Sequence, residues 1–135
     1  MTLSDLIHAI SRAIDNAPAN AARDPEAQLY ARVAKVGEES GEVISALIGA
    51  SGGNPRKGTV GTLGDVDREL FDVALGALLA AAHLRDRHGL APADLLAQLA
   101  EHAGRVAALY DLGPGPPRAG TQASNARRGR AAAGR

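Results

Sequence analysis

The sequence predicts an all-α protein, a small four-helix bundle that assembles into a helical homo-oligomer. Three observations carry this. Alanine occurs 29 times, and the β-branched residues never form the alternating runs of a half-buried strand. Apolar residues recur at three- and four-residue steps through most of the first 112 positions. Helix start and stop signals bracket those stretches.

The first helix is expected over Ser4 to Asp15. Leu3, Leu6, Ile7, Ile10 and Ile14 share one stripe, and Pro18 ends it. The second opens at Asp24-Pro25-Glu26, where a capping carboxylate, a first-turn proline and an acid all suit a helix N-terminus. Its stripe is Leu29, Val33, Val36, Val43 and Leu47, with an end near Gly49. Residues 49–64 hold six glycines and one proline and are read as a long loop, of the kind that is functional or mobile. The third helix runs from about Asp65 to about Asp86. Val66, Leu70, Val73, Ala77 and Leu84 form its core face; Phe71, Leu75, Leu78 and Ala82 form a second apolar face. A helix apolar on two sides is buried on two sides, and the second side is assigned to another subunit. A homodimer or dimer of dimers follows, with Phe71 and Leu75 near its axis. The fourth helix begins after Ala91-Pro92 and carries Leu95, Leu99, Val106 and Leu109. The folded domain is thus placed at 1–112, with 113–135 a disordered basic Gly/Pro/Ala/Arg-rich tail.

Composition removes several function classes. The chain has no cysteine, which excludes thiolate zinc sites, iron–sulfur clusters and cysteine nucleophiles. Its 15 basic and 15 acidic residues cancel, but the last 23 residues contain five arginines and no acid, leaving residues 1–112 at −5. An acidic body with three aromatic residues, Tyr30, Phe71 and Tyr110, makes nucleic acid an unlikely main partner. The apolar run from Val73 to Leu84 is too short to span a membrane, so no membrane partner is expected. The N-terminus has no basic region ahead of an apolar one, and a cytoplasmic protein is the expectation.

The chemistry is concentrated in two acidic stretches. The second helix contains Glu38-Glu39-Ser40-Gly41-Glu42, and the third contains Glu69-Leu70-Phe71-Asp72. On a helical wheel Glu39 and Glu42 lie roughly 60° and 120° to one side of Val36; Glu69 and Asp72 lie roughly 40° and 100° to the same side of Val73. Glu38 falls nearly opposite the stripe. If the helices pack antiparallel, Glu39, Glu42, Glu69 and Asp72 converge, and mutual repulsion then calls for a cation. Hard oxygen ligands suit Mg²⁺, with Mn²⁺ as the alternative.

The segments Ala34-Lys35-Val36-Gly37-Glu38-Glu39-Ser40-Gly41-Glu42-Val43 and Asp67-Arg68-Glu69-Leu70-Phe71-Asp72-Val73 resemble the two motif helices of the MazG-like, all-α nucleoside triphosphate pyrophosphohydrolases. The loop Asn54-Pro55-Arg56-Lys57-Gly58 is similar to one in a MazG-like branch. The resemblance covers roughly Leu29 to Leu112. It implies Mg²⁺-dependent hydrolysis of a nucleoside triphosphate to the monophosphate and pyrophosphate. It also implies metal ligation by Glu39, Glu42, Glu69 and Asp72. Glu38 or Glu42 would accept the proton of the attacking water. Arg56 and Lys57 either fold over the phosphates, with Asn54 bonding sugar or phosphate, or form a solvated loop. Lys35 either pairs with Glu39 or reaches a phosphate. The chain departs from the family in its scarcity of aromatics, and His83, Arg85, Arg87 and Arg105 match its later basic residues only loosely. A non-catalytic nucleotide-sensing or scaffold module is the alternative.

Overall fold

The computed structural model describes residues 1–90 and 94–112. Among them there are five helices and no strand: α1 (Leu3–Asp15), α2 (Pro18–Ala21), α3 (Pro25–Ser51), α4 (Leu63–His88) and α5 (Leu95–Ala108). Ala91-Pro92, read as the opening of the last helix, and the tail read at 113–135 lie outside the described residues. No helix among the described residues is long and apolar enough to cross a membrane.

Local chemistry sets the helix ends. Thr2 and Asp5 exchange side-chain and backbone hydrogen bonds at the start of α1, and Thr62 and Asp65 do the same at α4. The Asp24 carboxylate accepts from the Ala27 amide at the start of α3. Gly52 and Gly89 end α3 and α4 at φ 68°, a left-handed conformation that costs glycine nothing. Pro18, expected only to end the first helix, also begins α2, because its fixed φ and missing N–H fit a first helical turn.

The long loop is shorter and more ordered than expected. Helix α3 continues through Gly49 to Ser51, and α4 starts at Leu63, two residues early. The connection is pinned by a hydrogen bond from the Val60 amide to the Gly49 carbonyl, 2.9 Å, and another from Gly53 to Ile48, 2.9 Å. A Cβ on Gly49 would sit 2.5 Å from the Val60 carbonyl oxygen, so this close approach requires glycine.

The chain forms two compact units, the first spanning Met1–Leu95 and the second beginning at Leu96. In the first unit α3 and α4 pack antiparallel and α1 packs on α4. Val36 lies beside Gly76, while Glu39 meets Glu69 and Asp72 one turn along. Helix α5 carries Leu99, Val106 and Gly104, with both large side chains partly exposed.

The buried set differs from the expected stripes. Ile7, Ala80, Ala82 and Leu95 are the fully buried apolar residues among those described. On α1 the buried line is Ser4, Ile7, Ser11 and Asp15, whereas Leu3 and Leu6 are exposed. Val33 and Leu47 on α3 and Leu70 on α4, all expected in the core, are also exposed. The second face of α4 divides: Ala82 is buried within the chain, and Phe71 and Leu75 remain exposed. Helix α3 turns toward α4 through Leu29, Val36 and Val43, all half-buried, so Val33, on the far flank of that stripe, is left outside.

Candidate metal centre and adjoining cleft

Glu39 comes from the middle of α3, and Glu69 and Asp72 from the first turns of α4. Val36 against Gly76 fixes the helix register that brings them together. One carboxylate oxygen from each of Glu39, Glu69 and Asp72 lies within 4.8 Å of the other two. Glu39 and Glu69 are half-buried and Asp72 is exposed. An octahedral Mg²⁺ places its ligand oxygens about 3 to 4.2 Å apart. Three hard oxygens on two rigid helices therefore fit such a cation after small rotamer adjustments. Glu42 is not in this set of three. It lies one turn beyond Glu39 and is exposed.

The electrostatics separate the roles of the neighbours. Lys35 Nζ reaches Glu39 Oε1 at 2.8 Å and Glu38 Oε2 at 3.0 Å. The hydrogen bond from Lys35 holds the Glu39 carboxyl below its usual range, and Glu39, followed by Glu38, raises Lys35. Glu42 is raised, first by the negative charge of Glu39, then by partial desolvation, with a further push from Glu69. Glu42 is thus coupled to the three-carboxylate set although it contributes no oxygen to it. Glu38 is 59% exposed and bonds Lys35, on the side of α3 that the wheel assigned it.

Beside the carboxylates a cleft of about 380 Å³ runs along α3 and α4 toward α1 and α2. Glu39, Asp72 and Lys35 line one part of it. Ile14, Ala31, Leu75, Gly76 and Leu79 supply apolar walls, and Asp15, Asn20, Gln28 and Arg32 supply polar groups at the other part. Asn54, Arg56 and Lys57 do not line it. They sit in the α3–α4 connection, where Asn54 Oδ1 accepts from the Arg56 amide at 3.1 Å and its carbonyl accepts from Lys57 and Gly58. The Asn54 side chain is engaged in holding that turn.

The α1-facing end is built on a buried charge cluster that sequence reasoning missed. Asp15, 1% exposed, accepts from Arg32 at 2.6 Å and from His83 Nδ1 at 2.9 Å, with Arg87 Nε at 3.7 Å. Arg32 also donates to the Ser11 carbonyl, 3.0 Å. Burial alone would raise the Asp15 carboxyl; the bonds from Arg32 and His83 outweigh it and hold it below the usual range. His83 Nδ1 faces a carboxylate and so carries a hydrogen, while its Nε2 is buried without a partner among the described residues. The legible signal was the line Ile7, Ser11, Asp15 at four-residue steps, which runs from one residue of the apolar stripe into two polar ones.

The described fold and site define an all-helical protein with a carboxylate cluster opening onto an interhelical cleft. Comparisons with protein-family models, with curated proteins and with solved structures gave no match.

Proposed function

We propose that this protein hydrolyses a nucleoside triphosphate to the monophosphate and pyrophosphate, using Mg²⁺ or Mn²⁺. The observation that carries the reading is the convergence of Glu39, Glu69 and Asp72 at one side of a cleft whose volume suits a small-molecule ligand. The resemblance of the two acidic segments to MazG-like motif helices supports the same chemistry. Glu39, Glu69 and Asp72 would hold the cation. When bound, it neutralises phosphate charge and makes water more acidic.

The protein's own groups account for the rest. Lys35, held at the cleft by Glu39, offers its ammonium to the phosphates. Glu42, whose carboxyl is raised first by the negative charge of Glu39, is the group assigned to take the proton. The water oxygen bonds to phosphorus, the bridge between the α and β phosphates breaks, and pyrophosphate leaves with the bridging electrons. The proton passes to Glu42.

Self-association belongs to the same proposal. Four buried apolar side chains among the described residues make a small core, and Val33, Ile44 and Ile48 on α3 and Phe71 and Leu75 on α4 are exposed. A second copy covering those faces would supply the missing core and complete the helical bundle. Such a protein acts on the nucleotide pool of the cytoplasm.

The test is pyrophosphate release from a panel of nucleoside triphosphates with Mg²⁺ and with Mn²⁺. Turnover that disappears in Glu39→Gln supports the reading. No release from any triphosphate with either metal overturns it.

A further inference from the structure

We propose that the α1-facing end of the cleft selects nucleotides whose base carries an exocyclic amino group, cytosine and adenine over uracil and hypoxanthine. This rests on the nucleotide reading above and adds the part of the substrate that the carboxylates do not contact.

The walls there are apolar: Ile14 on one side and Leu79 on another. A flat heterocycle fits such walls and a phosphate does not. The nearest positive charge is Arg32, but Asp15 at 2.6 Å neutralises it and the Ser11 carbonyl takes another of its hydrogens. The guanidinium lining this end of the cleft is thus already paired, whereas Lys35 at the other end borders the carboxylates.

Two amides decide which base. Asn20 Nδ2 donates to the Ile14 carbonyl at 2.9 Å, and Gln28 Nε2 donates to the Asn20 carbonyl at 2.7 Å. Main-chain carbonyls only accept, so both amides must turn their nitrogens to the backbone. The oxygen branch of each is what remains for an occupant, and neither oxygen has a partner among the described residues. Asn20 lies within α2, which Pro18 opens, and the Gln28 bond ties α3 to it. The acceptors are thus held in place before any ligand arrives. An amino group satisfies them. The carbonyl that replaces it in uracil or hypoxanthine sets lone pairs against lone pairs, and the single ring N–H beside that carbonyl can serve only one of the two amide oxygens, so one buried acceptor stays unpaired.

Calorimetry with CTP, UTP, ATP and ITP in Mg²⁺, together with pyrophosphate release from each, tests this. CTP should exceed UTP, and ATP exceed ITP, by about ten-fold or more in affinity and in kcat/KM. Gln28→Met, close in shape but without the acceptor, should bring both ratios toward unity. Turnover with ratios near unity in the wild type overturns the base selection and leaves hydrolysis standing. Discriminating binding without turnover overturns hydrolysis and leaves the selection standing. Absence of binding by all four overturns both, and ratios unchanged in Gln28→Met remove Gln28 from the selection.

Discussion

Replacing Asp15 with asparagine keeps the side chain's shape and removes its charge, which isolates the ionic part of the buried cluster at the end of α1. In the native fold Asp15 is 1% exposed and Arg32 12%, and they meet at 2.6 Å. The same carboxylate orients His83, itself fully buried, from 68 residues away. Without the charge, the one amide oxygen can serve only one of the two donors, Arg32 or His83, the other faces an amide NH₂, and the nearly buried Arg32 guanidinium loses its paired carboxylate. Breaking one side of such a pair costs about 3–5 kcal/mol, because the partner stays desolvated. For a domain of this size that corresponds to roughly 12 °C or more in Tm. The assay is urea and thermal unfolding followed by circular dichroism, on the wild type, Asp15→Asn, Arg32→Met and the double variant. The two single variants should each lose several kcal/mol and the double variant much less than their sum. The effect should also depend on pH. The folded carboxyl is held below its unfolded value of about 3.9, so the unfolded chain binds more protons in that range. The contribution is complete above pH about 5 and fades as pH falls through the lower, folded value. The gap between wild type and Asp15→Asn should therefore close in acid. A loss below about 1 kcal/mol at pH 7, in the range of an exposed pair, would refute the reasoning.

Three further outcomes are expected. Glu39→Gln and Asp72→Asn should lower Mg²⁺-dependent pyrophosphate release by at least about 100-fold, and chelation followed by Mg²⁺ should restore only the wild type; Glu38→Gln, which disturbs an exposed pair, should cost far less, and equal losses would count against the site geometry. Light scattering should find a dimer or larger species at micromolar concentration, and Leu75→Glu should lower its mass, since each large apolar side chain buried at the interface contributes about 1.5–3 kcal/mol; a wild-type monomer would count against the shared core. Gly49→Ala should destabilise the chain by about 1–3 kcal/mol in urea titration despite alanine's better helix propensity, because its Cβ would meet the Val60 carbonyl oxygen; a gain in stability would show that the connection yields freely.

Most of the helices were legible in the sequence because the forces that set them act over a few residues, as where Asp24 precedes Pro25 at the start of α3. Their exact ends were less so: the expected ends near Gly49, Asp65 and Asp86 each fall two residues short of the helix that forms, whose caps are Gly52, Thr62 and Gly89. The paired acids were legible for the same reason: Glu69 and Asp72 share a face whatever the helix packs against. Which acids meet across helices was not fixed at that level. It depends on the rotation of α3 against α4, set by Val36 against Gly76, and that rotation leaves Glu42 outside the set of three. The same rotation puts Val33 and Leu47 in solvent rather than in the core. Hydropathy ranks a residue by its own transfer energy, so it placed Leu3 and Leu6 inside and passed over Ser11 and Asp15. Those two are buried because groups far along the chain complete their bonding: Leu79 accepts from Ser11, and Arg32 and His83 donate to Asp15. Local sequence thus determined the helices and the acids they carry, while tertiary packing decided the cleft, its buried Asp15–Arg32–His83 end and the amides that face it, because those polar groups become stable inside only when distant partners meet them.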